Sequence, residues 1–457
     1  MNEPATPHDD SIARLDALAT TAERLLGMAR TAGADQVEVS CSEERGLNAS
    51  VRMGAVETVE STRDRGIAVT VYFGQRRGSA STADLRETSL QATVDQACAI
   101  ARHTESDPAA GLADAALMAR PQLDGNFAEF DAWHPWEVDA DRAIDLALAC
   151  EQAGRDADPR IGNSDGASVG SSASFGVYAN SHGFIGRERS TQHTIGCALI
   201  AGQGAGMQRD GWYSTALAAT DLEPVAAIGR HAAERAAGRL DPRSLATGEL
   251  PVVFAPDVAR SLVGHLLGAV SGGALYRKAS FLLDSAGTRL FPDWFSIHED
   301  PFLTRGFRSG AFDAEGVATR ASPLVEDGVL ARYMLGSYSA RKLGLETTAN
   351  AGGAHNLLVA SNAADQASIL AGLPRALLVT ELMGQGVNPV TGDYSRGAAG
   401  FLMEGGTVAH AVDGITVAGN LRAMFDAIEA VGGDVDPRSH VRCGAILVGR
   451  MTVAGGA

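Results

Sequence analysis

Apolar residues along this chain follow two periods, and the switches between them predict its elements. Residues 13–32 (ARLDALATTAERLLGMARTA) repeat apolar side chains at helical spacing and stop at Gly33, which suits a helix C-cap. QVEVSCSEE, LNASVRMG, AVETVESTR and IAVTVYFGQRRGSAS then alternate between apolar and polar, separated by glycine or charged turns. That period predicts an antiparallel meander, closed by a second helix over roughly residues 85–104. Residues 107–135, rich in Pro, Asp and Ala, read as a linker, with Pro135 suited to the first turn of a helix through DRAIDLALACEQAGRD. Residues 161–219 are dense in Gly, Ser and Thr and carry β-type runs such as FGVYANSHG and HTIGCALIAG, which predict hairpins. LEPVAAIGRHAAERAAGRL returns to helical spacing. GELPVVFAP opens a last region: a strand, a helix from about Asp257, glycine-punctuated β segments, a late helix GNLRAMFDAIEAVG and a final strand in CGAILVGRMTVAG.

These elements predict an α+β fold. Residues 1–34 supply an N-terminal helix, 35–106 an α+β domain with helices flanking an antiparallel sheet, and 107–135 a linker. Residues 136–245 form a central region of helices and hairpins, and 246–457 a mainly antiparallel β C-terminal domain with a few helices. No short repeat is present, which argues against a solenoid.

Composition narrows the function. The 457 residues exceed one ordinary core and carry a net charge of −17, the wrong sign for a nucleic-acid-binding face. Five scattered cysteines without a CxxC suit buried thiols in a reducing compartment. The polar start MNEPATPHDD predicts no signal peptide, and no apolar run approaches the roughly 20 residues that cross a bilayer. The expectation is a cytoplasmic protein without membrane or nucleic-acid partners.

Spacing alone names no active site. The two nearest histidines, His182 and His193, are eleven residues apart, so no HxH or HExxH pair exists. His231 and Glu234 share a helix face and read as a solvated ion pair. GNSDGASVG (162–170) contains GxSxG around Ser164 and Ser168, yet lacks the strand-to-helix setting of a nucleophile elbow and reads as a flexible turn. GQGAGM (202–207) lacks the ending of a phosphate loop and reads as a hairpin. Glu299 and Asp300 read as turn-capping carboxylates. Three glycine-rich strings stand out: GALYRKASFLLD, TTANAGGAHNL (347–357) and ELMGQGVNPVTGDYSRGAAGFLMEGG (381–406). They fit tight β turns, or backbone that borders a ligand.

Those three strings, in that order, resemble the TldD/PmbA family of zinc peptidases, also known as modulators of DNA gyrase. The likeness runs from about Asp35 to the end, with ADQVEVS and YSRGAAGFLMEGG also matching. The resemblance implies two branches that pair as a heterodimer. In the TldD branch a helix carries HExxxH, two histidines and a late cysteine bind zinc, and the metal activates water. Matching that branch's basic pair with Arg277 and Lys278 places its zinc histidines at Gly264 and Ala269 and its glutamate at His265. Cys443 falls at the late cysteine and reads as a remnant of the ligand set. The chain therefore resembles the PmbA (TldE) branch, which implies no cofactor of its own and zinc in a TldD partner. It also implies a shared chamber for unfolded or linear peptides; an exposed hetero-interface leaves a homodimer of the isolated chain open. Candidate peptide-lining or interface residues are His265, Tyr276, Arg277, Lys278, Ser280, His355, Asn356, Tyr394 and Arg396. Two alternatives stand beside this reading: a peptidase with its own site that is not HExxxH, and a non-enzymatic peptide- or regulator-binding protein.

Overall fold

The computed structural model describes residues 10–123 and 128–455. The polar start through residue 9, which bears on the signal-peptide reading, and residues 124–127 of the expected linker lie outside the described residues.

Helix α1 (Ser11–Thr31) buries the stripe Leu15, Leu18, Ala22, Leu25, Leu26 and Ala29. Gly33, with φ at +89°, takes the left-handed turn that ends it. The meander follows as β1 (Gln36–Arg52), β2 (Ala55–Phe73) and β3 (Arg76–Thr82), and then α2 (Glu87–His103). After the short α3 (Arg120–Leu123) come α4 (Ala140–Ala157), β4 (Ile161–Asn180), β5 (Ile185–Ala201), β6 (Gln208–Ala216) and α5 (Val225–Gly238). All six strands form one antiparallel sheet in the order β3-β2-β1-β4-β5-β6. Strand β1 joins its two halves. Val37, Val39 and Cys41 pack under α1 and α2, while Ala49 and Val51, on the same face, pack under α4 and α5. Burying each of these valines contributes about 1.5–3 kcal/mol. Helix contacts are close: a β-carbon at Gly229 of α5 would lie 2.0 Å from the Cys150 carbonyl oxygen of α4.

Several local expectations change. GNSDGASVG is no turn but the start of β4, bulged between Ser164 and Gly166. Ser164 is fully buried and Ser168 half-buried in mid-strand, paired with both β1 and β5, so neither GxSxG stands at a strand-to-helix elbow. Pro135 stands outside α4, whose N-cap is Asp139, accepting from the Arg142 N–H at 2.8 Å. The connection at 107–119 is docked: Leu112, Ala113 and Met118 are buried, and Arg341 donates to the Ala109 and Gly111 carbonyls at 3.0 and 2.9 Å.

The C-terminal half holds two further sheets. Strand β7 (Gly248–Phe254) leads into α6 (Pro256–Val270) and the short α7 (Gly272–Tyr276). A five-stranded sheet contains β8 (Ile297–Asp300), β9 (Ser322–Glu326), β10 (Val329–Leu330), β11 (Asn356–Val359) and β16 (Val441–Arg442), with α8 (Ser337–Leu343) between β10 and β11. A six-stranded sheet joins β7 to β12 (Arg375–Met383), β13 (Asp393–Glu404), β14 (Thr407–Asn420), β15 (Ile428–Val431) and β17 (Ile446–Ala454), in the order β14-β13-β12-β7-β17-β15. Most pairings are antiparallel; β7 with β12 and β11 with β16 are parallel. The expected late helix shrinks to α10 (Leu421–Asp426), one short helix after α9 (Gln366–Ala371), because Ile428–Val431 pairs with β17 instead. The α+β class holds throughout, and no helix of the described residues is long and apolar enough to cross a membrane.

Candidate functional site

Helix α6 begins with Pro256 at its first turn and Asp257 beside the positive end of its dipole. Its apolar stripe, Ala259, Leu262, Val263, Leu266, Ala269 and Val270, enters the C-terminal core. His265 leaves that stripe half-buried, and Gly264 and Gly268 lie exposed beside it. Opposite stand Tyr394 and Arg396, two apart on β13 and so on one face of the sheet. The rings of His265 and Tyr394 meet edge-to-face with centroids 5.8 Å apart. Arg396 is near enough for its charge to act on both. Burial first, and Arg396 second, hold the His265 imidazole below its ordinary value and therefore neutral at pH 7. Burial pushes the Tyr394 phenol up to about 12, with Arg396 opposing. His265 Nε2, Tyr394 Oη, Arg396 Nε and Ser261 Oγ are all buried atoms without a hydrogen-bond partner among the described residues.

The zinc ligand set does not fit this site. Gly264 and Ala269 offer no ligating atoms, and the group nearest His265 in charge is a guanidinium. Cys443 is fully buried; its thiol is pushed up to about 12 by burial and donates to the Gly444 carbonyl at 3.2 Å, so it stays neutral. No three of His, Cys, Asp and Glu among the described residues come together as a metal site.

The next string is mostly structural. Ser280 donates to the Ala269 carbonyl at 2.6 Å and accepts from the Leu282 N–H at 3.0 Å, tying the turn to the end of α6. Tyr276 packs edge-to-face on Tyr338, and Arg277 donates to its hydroxyl at 3.2 Å. Arg277 and Lys278 are exposed, Lys278 in the left-handed region with φ at +57°.

His355 and Asn356 belong to a separate place. Asn356 is fully buried: its amide donates to the Asp300 carbonyl and Ser309 Oγ, and its oxygen accepts from the Arg308 N–H. His355 borders a cavity of about 500 Å³ between the first sheet and the C-terminal half, together with Glu188, Arg308 and Asp313. Glu299, on strand β8 and not in a turn, orients it. Its carboxylate accepts from the His355 N–H at 2.6 Å, from His355 Nδ1 at 3.2 Å and from Asn350 Nδ2 at 2.8 Å, and it pairs with Arg332. Burial opposes ionisation of Glu299, but the His355 hydrogen bond and the Arg332 charge prevail and hold it below the usual carboxylate range. Across the cavity, Glu188 is open to solvent yet deep in the cleft; desolvation pushes it up to about 7, with His355 opposing. Burial pushes Asp313 up to about 6 against backbone N–H bonds that favour the anion.

The structure thus brings together His265, Tyr394 and Arg396. It places His355 and Asn356 on a second cavity and Tyr276, Arg277 and Lys278 on the surface. Sequence reasoning missed Glu188 and Arg332, which stand far from His355 along the chain, with no spacing to betray them. It also misjudged His231. That ring stacks on Trp212 at 4.0 Å, and burial first and Arg235 second hold it below its ordinary value, with the Glu234 charge only opposing them.

Comparison with known proteins agrees across the chain. Three family models match in order: PmbA/TldA metallopeptidase domain 1 at residues 37–101, the central domain at 133–240 and the C-terminal domain at 247–455. Metalloprotease PmbA of Escherichia coli is 45% identical over 92% of each chain, and a PmbA homologue of Haemophilus influenzae 42% over 94% of each. Among solved structures, a proposed modulator of DNA gyrase from Bacteroides thetaiotaomicron superposes with a TM-score of 0.90 at 25% identity, covering 96% of this chain and 99% of that one. TldE from Thermococcus kodakarensis shares the fold, with a TM-score of 0.82 at 20% identity over 95% and 100% of the two chains. With all three domain models in register and near-full-length identity to PmbA proteins, this chain belongs to the PmbA/TldD metallopeptidase family.

Proposed function

We propose that this chain is the zinc-free subunit of a cytoplasmic two-subunit peptidase, in which a TldD-type paralogue carries HExxxH and the metal. One observation carries this reading. At the helix where the family's catalytic branch holds zinc, α6 presents Gly264, His265 and Ala269, and the facing β13 presents Tyr394 and the cation Arg396. A guanidinium repels a divalent ion and attracts an anion. The chain's part is then to bind and orient an unfolded peptide while its partner supplies the zinc chemistry. The five cysteines, all buried thiols, suit a reducing compartment. The test is metal analysis of the purified chain, the paralogue and their complex after size-exclusion chromatography. The reading predicts a stable complex with one zinc per pair and none in this chain alone; stoichiometric zinc in the isolated chain, or no complex, overturns it.

A second reading draws on His355. A buried carboxylate holds its Nδ1, which leaves Nε2 as the nitrogen able to exchange a proton at a cavity that also holds Glu188. Peptide hydrolysis by the isolated chain, lost in His355→Ala, would favour it.

A further inference from the structure

Four polar atoms around α6 and β13 are each short of a partner, and they share a character. Ser261 and His265 are one turn apart on α6 and so lie on the same face of the helix. Tyr394 meets that face at His265 from β13, and Arg396, two residues on along the same strand face, is near enough for its charge to act on His265. Tyr394 is only 1% exposed and its hydroxyl makes no hydrogen bond of good geometry, with the Arg396 guanidinium its one neighbouring donor; the buried Nε of Arg396 is likewise unbonded. Arg396 makes no ion pair among the described residues, whereas other buried or half-buried arginines of the chain do: Arg235 with Asp210 and Asp257, Arg239 with Glu381, Arg332 with Glu299. Buried groups left in this state are costly and uncommon. A hydroxyl, a guanidinium, a second hydroxyl and a neutral imidazole in its Nε2–H tautomer can all donate. What they lack is one acceptor with several lone pairs and a negative charge.

The approach to the cluster is also unusual. Gly264 and Gly268, one turn apart beside His265, are exposed, and a β-carbon at either would meet nothing within 4 Å. This flank of α6 is bare backbone, so an extended main chain can lie against it without meeting a side chain.

We infer that Ser261, His265, Tyr394 and Arg396 form a carboxylate-binding site that anchors the linear peptide, which runs along the bare Gly264–Gly268 flank of α6. Arg396 and Tyr394 donate to the carboxylate oxygens, with His265 Nε2–H and Ser261 Oγ–H completing the set. The inference rests on the peptide-binding reading above and names the chemistry that the site would select. The carboxylate can be a peptide C-terminus or an acidic side chain.

The experiment uses the full chain and three fluorescein-labelled, unstructured ten-residue peptides of Ala, Ser and Lys: one with a free C-terminus, its amide, and the amide with one internal Glu. Fluorescence anisotropy should show the free-carboxylate peptide, the Glu peptide, or both binding roughly tenfold tighter than the plain amide, the amount expected for one charged anchor. The arm that gains identifies the carboxylate source. Arg396→Gln should bring every peptide within roughly twofold of the plain amide, a gap worth only a few tenths of a kcal/mol. Gly264→Leu should weaken all three peptides while leaving the urea-unfolding midpoint at or above that of the wild type, since leucine is the better helix former; that midpoint separates lost binding from lost folding. In the wild type, the NMR titration of His265 should shift to higher pH when the tighter peptide binds, since a neighbouring anion favours the imidazolium. Equal affinity for all three peptides, or a preference that survives Arg396→Gln, overturns the site. So does an Arg396→Gln effect confined to association with the paralogue. Zinc stoichiometry of the complex is read on the same samples, so failure of the anchor and failure of the two-subunit reading remain separate results.

Discussion

Glu299 offers the sharpest test of how the second cavity is built. Its carboxylate is 2% exposed and is surrounded by donors: the His355 N–H, His355 Nδ1, Asn350 Nδ2 and the Arg332 guanidinium. Glu299→Gln keeps the shape but removes the charge, and it turns one oxygen into an NH₂ that must face another donor. Arg332, with its side chain only 15% exposed, would then be a buried cation without a counter-ion. Breaking a buried pair from one side typically costs about 3–5 kcal/mol. Taking about 3 kcal/mol, and 2–4 °C per kcal/mol for a unit of this size, the melting temperature should fall by roughly 6–12 °C at pH 7. Calorimetry of the full chain reads this directly. The pH dependence has a fixed sign: folding holds the carboxyl below its ordinary value, so its contribution is present above about pH 4.3 and is lost as pH falls through the lower folded value. The variant should therefore converge on the wild type at low pH. A loss below about 1 kcal/mol at pH 7, or a gap that widens on acidification, would refute this account of Glu299.

Three further outcomes follow from other sites. Tyr394→Phe removes a buried hydroxyl that lacks a partner, so the ligand-free chain should be stabilised by about 1 kcal/mol in urea unfolding; a comparable loss would mean that the hydroxyl is already bonded. Gly229→Ala places a β-carbon against the Cys150 carbonyl and should force α4 from α5 at a cost of about 1–3 kcal/mol, read as a lower denaturation midpoint. Glu188→Gln should raise the melting temperature at pH 8 and change little at pH 5. Its folded value near 7 lies above the unfolded one, so the penalty for ionisation grows only as pH rises between them. Equal effects at both pH values would contradict the upward shift.

The sequence was most legible where one period ran unopposed. Helix α1 and strand β1 follow from apolar spacing, because each buries one stripe or one face under a single partner layer, whereas the alternation of AVETVESTR predicts β2 although Val56 and Val59 stay exposed there. GNSDGASVG misled because glycine and serine also line a long bulged strand when both neighbouring strands hold it, as β1 and β5 hold β4. The late helix failed after Asp426 because pairing with β17 outweighs helical propensity at Ile428–Val431. Of the candidate site, the strings located α6 and β13 but not their meeting. His265 and Tyr394 are far apart in sequence, and only the sheet brings Tyr394 and Arg396 under the helix. The Glu299–His355 pair was hidden for the same reason: HED reads as a turn until β8 is seen beside β11.

The central claim is that this chain binds peptide and a paralogue supplies the metal. The most direct measurement is hydrolysis of an unfolded peptide by the purified chain with added zinc, by the HExxxH paralogue, and by the two mixed. The account predicts turnover in the mixture that a chelator abolishes, and none from this chain alone. Zinc-independent hydrolysis by the isolated chain, lost on mutating His355 or His265, would contradict it.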